Sequence, residues 1–307
     1  MAEVTENLVF SWWNTGLSPV GRRRACKRDF QVASGIVRKL LVDEGADFLG
    51  LGEVTKADLD CLASAVPAHS IYDGTLREGR AQFDTGAIYN AARLFPFYRG
   101  SVMELHGRRR LKLANRIDFT IPGDNHPFHL FISHWPSHIV PDSETIRITL
   151  AGRLRPLLDR VMRRYDGNAR LIIMGDFNEE PFHECLENQL LASRDRALAA
   201  KSPLHLYNPF WRHLGESEPY AGGASRKSFA GTCFLRTGRA TQWKTVDQII
   251  VSSAFLSSGP WHLNEELTRI VYITPKAMRE DGATGIFDHF PVIATIERLG
   301  DGGVSHD

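Results

Sequence analysis

Short apolar runs punctuate this chain, and most of them end on a residue able to bind metal or phosphate. "LIIMGDFNEEPF" (171–182) carries four apolar residues up to Gly175 and Asp176, passes Asn178 and turns at Pro181. A run so short and so apolar, closed by Gly and Pro, predicts a strand buried on both faces. "NLVFSWWN" (7–14) predicts a first strand ending at Asn14, and "ADFLGLGEV" (46–54) a second that delivers Glu53. "TGAIYN" (85–90) is a further short strand. "NRIDFTIPGDNHPFHLFISHWPSH" (115–138) predicts two strands about a Pro-Gly-Asp turn, the second ending at His134. "TVDQIIVS" (245–252) and "FDHFPVIATIE" (287–297) supply the last two, with Asp247 on one and Asp288 and His289 on the other.

The spacing changes between these runs. Phe30, Ala33, Val37, Leu40 and Leu41 recur at helical intervals after the basic "GRRRACKRDF" (21–30), and Gly45 closes that segment. Ile146, Leu150, Leu154, Leu157, Leu158 and Val161 predict an amphipathic helix over 143–164, with Ser143 as N-cap and a kink or break at Pro156. "FHECLENQLLA" (182–192) also reads as helix, and 201–242 as a long irregular stretch. No repeat or linker-like composition interrupts residues 1–299, which are expected to form one domain; the tail "GDGGVSHD" (300–307) is expected to be disordered.

Each polar strand end has an ordinary reading as a turn or cap. "HWPSH" has two histidines four apart, but Pro136 argues against the helix that a zinc pair would need. Taken together the ends ask for more. Charges clustered at one edge repel one another and are costly to desolvate unless a ligand compensates them. A cation and a phosphate would.

Composition narrows the setting without naming a partner. Thirty-seven basic against 36 acidic residues give a formal charge of +1, and 43% of residues are hydrophobic. Cys26, Cys61, Cys185 and Cys233 form no CxxC pair, which fits a reducing cytoplasm better than zinc or a disulfide framework. Neither a signal peptide nor a run of about 18 apolar residues is present, so a soluble, cytoplasmic protein without membrane contact is expected.

The motifs "WWNTGL" (12–17), "LGLGEV" (49–54), "ISHWPS" (132–137), "MGDFNEEP" (174–181), "TVDQIIVS" (245–252) and "FDHFPV" (287–292) span nearly the whole chain. Their types and order resemble the endonuclease/exonuclease/phosphatase superfamily, the deoxyribonuclease-I-like fold, with bacterial stand-alone members most similar. The resemblance implies a four-layer α/β sandwich, two packed mixed β-sheets flanked by helices, and divalent-metal-dependent cleavage of a phosphoester. It implies Glu53 as metal ligand, with Asn14 and Asp288 completing or supporting that shell, and Mg2+ as the ion, Mn2+ substituting. It makes Asp176 the carboxylate that orients and deprotonates the attacking water. Asn178 becomes a neutral donor to a phosphoryl oxygen, Asp247 and His289 a carboxylate–imidazole pair, and His134 a donor on the other side of the scissile group. Asn14, Tyr89, Arg116 and Arg147 fall where relatives often contact phosphate, although Tyr89 also reads as a structural hydroxyl and Arg147 as a solvated helix face.

Two positions depart from the deoxyribonucleases proper: Thr55 stands where they carry Arg, and Phe287 where they carry Ser. Nucleic acid is the expected substrate, DNA before RNA. The basic clusters 22–28, 107–112 and 236–244, with Arg226 and Lys227, suit a phosphate backbone, and they equally suit an ordinary solvated surface. Trp12, Trp13, Trp135 and Trp243 each adjoin a motif, as base-stacking groups or as core. The alternatives are a phosphatase or phosphodiesterase for inositol phosphates or sphingomyelin, and a catalytically dead scaffold, which the intact set Glu53, Asp176, Asn178, Asp247 and His289 disfavours.

Overall fold

The computed structural model describes residues 3–19, 25–79, 81–107, 109–215, 229–235, 238, 240–256, 259–273 and 287–300. Arg22, Arg23, Arg24, Arg226, Lys227 and Arg236 of the basic clusters, and most of the predicted disordered tail, lie outside them. The strands, in chain order, are β1 Val4–Asn14, β2 Phe48–Gly52, β3 Ser70–Asp73, β4 Leu76–Glu78, β5 Ala81–Phe83, β6 Thr85–Tyr89, β7 Phe95–His106, β8 Arg109–Ile121 and β9 Asp124–His134. They continue as β10 Arg170–Asp176, β11 Ala192–Ser193, β12 Leu206–Tyr207, β13 Cys233–Phe234, β14 Trp243–Lys244, β15 Asp247–Ser252, β16 Trp261–Ile270 and β17 Val292–Leu299. The helices that matter below are α1 Lys27–Arg38, α2 Lys56–Ala63 and α3 Ser143–Arg164.

Two mixed sheets dominate, ordered β16-β17-β1-β2-β6-β3 and β11-β12-β15-β10-β9-β8-β7. They pack face to face, with Phe10 and Trp12 of the first sheet and Phe128, Ile172 and Met174 of the second in one buried cluster. Leu40 and Leu59 extend that cluster onto the helical side of the first sheet. Phe131, Leu171 and Ile173 point the other way, onto Leu150, Leu154 and Leu158 of α3. The alternation of period two thus feeds two cores from β9 and β10, which explains why their sequence is apolar throughout. The result is the expected α/β sandwich.

Three local expectations change. The helix over 143–164 runs unbroken through Pro156, and its N-cap is Asp142 at φ 55°, not Ser143. Pro156 sits on the exposed face, where water can satisfy the carbonyl that loses its N–H donor. The 182–192 segment forms only one helical turn, Cys185–Gln189. Strands β3, β4, β5, β7 and β16 lacked a legible apolar pattern; β7, for instance, is half-exposed along an edge, so its side chains do not alternate cleanly.

Candidate active site

Strand register gathers the polar strand ends. β1 and β2 run parallel with Asn14 beside Gly52, so Glu53 follows at the same edge. β9 and β10 run parallel with His134 beside Asp176, and antiparallel β15 sets Asp247 directly across from Asp176. Asp247 therefore opens its strand rather than closing it, and reaches the same edge because the strand runs in reverse. Asp288 and His289 likewise precede β17, whose partner residue to Val292 is Trp12. Face-to-face packing of the sheets then joins the two edges.

Asp176 stands at the centre, almost wholly buried. Its Oδ2 accepts from Asn14 Nδ2 at 3.0 Å and lies 3.9 Å from His134 Nε2 and 4.0 Å from His289 Nε2. Asn14 Nδ2 also lies 3.5 Å from Glu53 Oε1, so one amide links the two carboxylates. Burial, and then the neighbouring Asp247 charge, push the Asp176 carboxyl up to about 6 against the opposing pull of both imidazoles and Asn14. Close approach built this centre: a Cβ on Gly175 would lie 1.8 Å from the Ser133 carbonyl oxygen.

Each imidazole is held from behind. His289 Nδ1 lies 2.7 Å from Asp247 Oδ2, and the Trp12 indole N–H donates to Asp247 Oδ1 at 2.8 Å. Burial alone would lower the His289 pKa; the Asp247 carboxylate outweighs it and holds the ring well above the ordinary imidazole range. His134 Nδ1 lies 3.0 Å from Asp84 Oδ2, while Lys112 Nζ donates to Asp84 Oδ1 at 2.8 Å. His134 is also raised against its burial, by Asp84. Asp84 itself sits below the usual carboxylate range, because His134 and Lys112 outweigh its burial.

Asp84, Lys112, Trp12 and Thr232 are the site's neighbours that sequence reading missed. Asp84 is the single residue between β5 and β6; antiparallel pairing of β6 with β2 lays Thr85 against Gly52 and so brings Asp84 to Glu53. Trp12 fits because Gly50 and Gly52 are bare: a Cβ there would lie 3.0 and 2.8 Å from its ring. Thr232, in the uninformative "SFAGTCF", accepts the Val246 and Asp247 N–H groups on Oγ1, both at 3.1 Å.

Other expected residues lie elsewhere or serve differently. β10 stops at Asp176, so Asn178 is not on the strand: it takes φ 54°, a left-handed conformation that Asn tolerates well. One proton of its amide goes to the Trp135 carbonyl at 2.9 Å. Phe177 points into the core, edge-on to Trp135. Tyr89 pairs with Phe48, at the opposite end of β2 from Gly52 and about 13 Å along the strand; its hydroxyl accepts from Arg99. Arg116 pairs with Phe131, about 10 Å short of His134, and its guanidinium is bidentate to Asp118. Arg147 is fully buried, not solvated. It donates to Glu179 and to the Pro136 carbonyl, bracing α3 against the loops that follow β9 and β10. Among the described residues none of these three bonds to Asp176, Glu53, His134 or His289.

The departures are structural here. Thr55 caps α2, and Phe287 packs on Trp13 at 5.3 Å. Trp12, Trp13 and Trp135 are core; Trp243 is half-buried and stacks on Phe290.

The donor set fits a hard divalent cation. Asp176, Asp247 and His289 offer ligand atoms within 4.8 Å of one another. Both Asp247 oxygens, however, already accept from Trp12 and His289. Glu53 is better placed: it is partly exposed, and among the described residues its carboxylate has Asn14 at 3.5 Å and His134 at 4.0 Å and no closer ion pair, which suits it to coordination.

The model of the endonuclease/exonuclease/phosphatase family matches residues 23–283. The chain belongs to that family. Membership brings a coarse activity, hydrolysis of phosphoester bonds, and a divalent-metal site, for which the acid and imidazole groups above are suited. No curated protein matches the chain. Among solved structures, the human Nocturnin catalytic domain with bound sulfate is similar at a TM-score of 0.62 and 15% identity, covering 95% of each chain. D. rerio TDP2 complexed with single-strand DNA product is similar at 0.57 and 14%, covering 94% of this chain and 98% of that one. A family protein from Bacteroides thetaiotaomicron is similar at 0.58 and 15%, covering 97% of both. At these identities the likeness establishes the fold. Among the described residues no helix is long and apolar enough to cross a membrane.

Proposed function

We propose that this protein is a divalent-metal-dependent phosphodiesterase that hydrolyses nucleic acid, DNA before RNA, by in-line attack of water on phosphorus. One observation carries the reading: a buried carboxylate, Asp176, faces two imidazoles at 3.9 and 4.0 Å, each backed by its own carboxylate. Structural neighbours that hold a single-strand DNA product or a bound sulfate add support for an anionic substrate.

Asp176 orients the water and takes its proton, a role that its raised pKa of about 6 makes effective near neutrality. Asn14 fixes the Asp176 oxygen that does so. His289, kept cationic by Asp247, faces a non-bridging phosphoryl oxygen and stabilises the charge that builds there. His134, raised by Asp84 against its burial and the Lys112 charge, gives a proton to the leaving oxygen. The second amide proton of Asn178 is free for another phosphoryl oxygen. Glu53, with Asn14 and Asp288, would hold Mg2+, or Mn2+ in its place; when bound, the cation supplies charge neutralisation to the phosphate.

A parallel panel tests the assignment: duplex DNA, single strands, RNA, inositol phosphates and sphingomyelin, each with Mg2+ and with EDTA. Cleavage of DNA that EDTA abolishes is the expected result. Preference for an inositol phosphate or sphingomyelin would replace it with the small-molecule reading.

A further inference from the structure

The loop that leaves Asp176 carries Phe182, a large apolar side chain left 54% exposed. Its ring meets Trp211 at 6.1 Å, and the Arg194 guanidinium lies over the Trp211 ring at 4.8 Å. The fold brings these groups to the edge that holds the catalytic residues. β12 pairs Leu206 with Ser252 and Tyr207 with Val251, so the chain beyond it heads toward Asp247. Asn208 accordingly donates to Gln248 at 2.7 Å, and the helical turn Pro209–His213 follows. Thr245, two residues from Asp247, then ties both sides together: its hydroxyl donates to the His213 carbonyl and its N–H to Glu180 Oε2.

β12 and β15 lie on the side of β10 away from β9, so Trp211, with Phe182 against it, follows the strands on the side away from His134. Arg194 is exposed over Trp211, Arg212 follows Trp211 in the chain and is exposed too, and neither forms an ion pair among the described residues. An exposed ring alone suits many partners. An aromatic pair with one guanidinium over it, and a second exposed arginine next in the chain, matches a polyanion whose repeating unit also has a flat π-face.

We propose that Phe182, Trp211 and Arg194 form a stacking platform for a nucleobase of a single-stranded substrate, with Arg194 and Arg212 meeting its phosphates. The platform rests on the nuclease reading and adds a subsite to it. It works by binding, several residues removed from the reacting atoms.

The test pairs two readouts on the full chain. Binding of a fluorescein-labelled oligothymidylate is followed by anisotropy, and hydrolysis of methyl p-nitrophenyl phosphate reports the chemistry on a diester that carries no nucleobase. Phe182→Ala should weaken oligonucleotide binding about tenfold, Phe182→Trp should restore it, and both should hydrolyse the small diester like the parent. Arg194→Met and Arg212→Met should each flatten the salt dependence of binding. Unchanged oligonucleotide affinity in Phe182→Ala overturns the platform, as does a parallel loss on the small diester. A parent protein that neither binds nor cleaves oligonucleotides contradicts the nuclease reading itself, so the two failures are distinguishable.

Discussion

The two imidazoles of the site are near mirror images that differ in who shares their carboxylate. Behind His289, Asp247 also accepts from a neutral indole, Trp12. Behind His134, Asp84 also accepts from a cation, Lys112. The Lys112 charge works against Asp84 at His134, which is raised, whereas Asp247 and then Cys233 both raise His289, which is held well above the ordinary imidazole value. The lesson is that a second partner, invisible when only the imidazole–carboxylate pair is considered, bears on each ring, and the proposed mechanism uses that difference to make one a standing cation and the other a proton donor.

Asp176, which both rings face, gives the largest effect. Asp176→Asn should lower kcat by about 10²–10⁴ on every phosphodiester, in a metal-saturated assay. The rings come next and should separate by leaving group. His289→Gln should cost about 10²–10³ in kcat whether the leaving group is a nucleoside alkoxide or p-nitrophenolate. His134→Gln should be severe only with the alkoxide, since nitrophenolate leaves without a proton. Equal losses in both assays would erase the distinction between the rings.

pH sharpens it further. Asp247→Asn removes the charge that raises His289, so the basic limb of the kcat/KM profile should move to lower pH. Lys112→Met removes a cation that lowers His134, so the His134 contribution should move to higher pH. The smallest effect on catalysis is expected from Arg147→Met. It should leave activity per folded molecule unchanged while costing about 3 kcal/mol in urea denaturation, because buried Glu179 loses its guanidinium and keeps only His138 and His183 as ion-pair partners among the described residues.

How much of this was written in the apolar pattern depends on strand direction. Asn14, Glu53, His134 and Asp176 close strands, and a run that ends on a polar residue announces itself. Asp84 directly precedes β6 and looks like an ordinary loop acid until antiparallel pairing lays it beside Glu53. Lys112 sits in a basic cluster that reads as surface, and only the register of β8 against β9 turns it toward Asp84. Tyr89, Arg116 and Arg147 erred the other way. The resemblance suggested phosphate contact, whereas in the structure their described partners are Arg99, Asp118 and Glu179.

A magnesium titration of thymidine 5′-p-nitrophenyl phosphate hydrolysis, run on the parent protein and on Glu53→Gln, probes the core proposition most directly. The parent should show saturable activation that EDTA reverses, and Glu53→Gln should need far more Mg2+ or never saturate. Metal-independent turnover, or identical titration curves for the two proteins, would contradict a shared site built around Glu53 and Asp176.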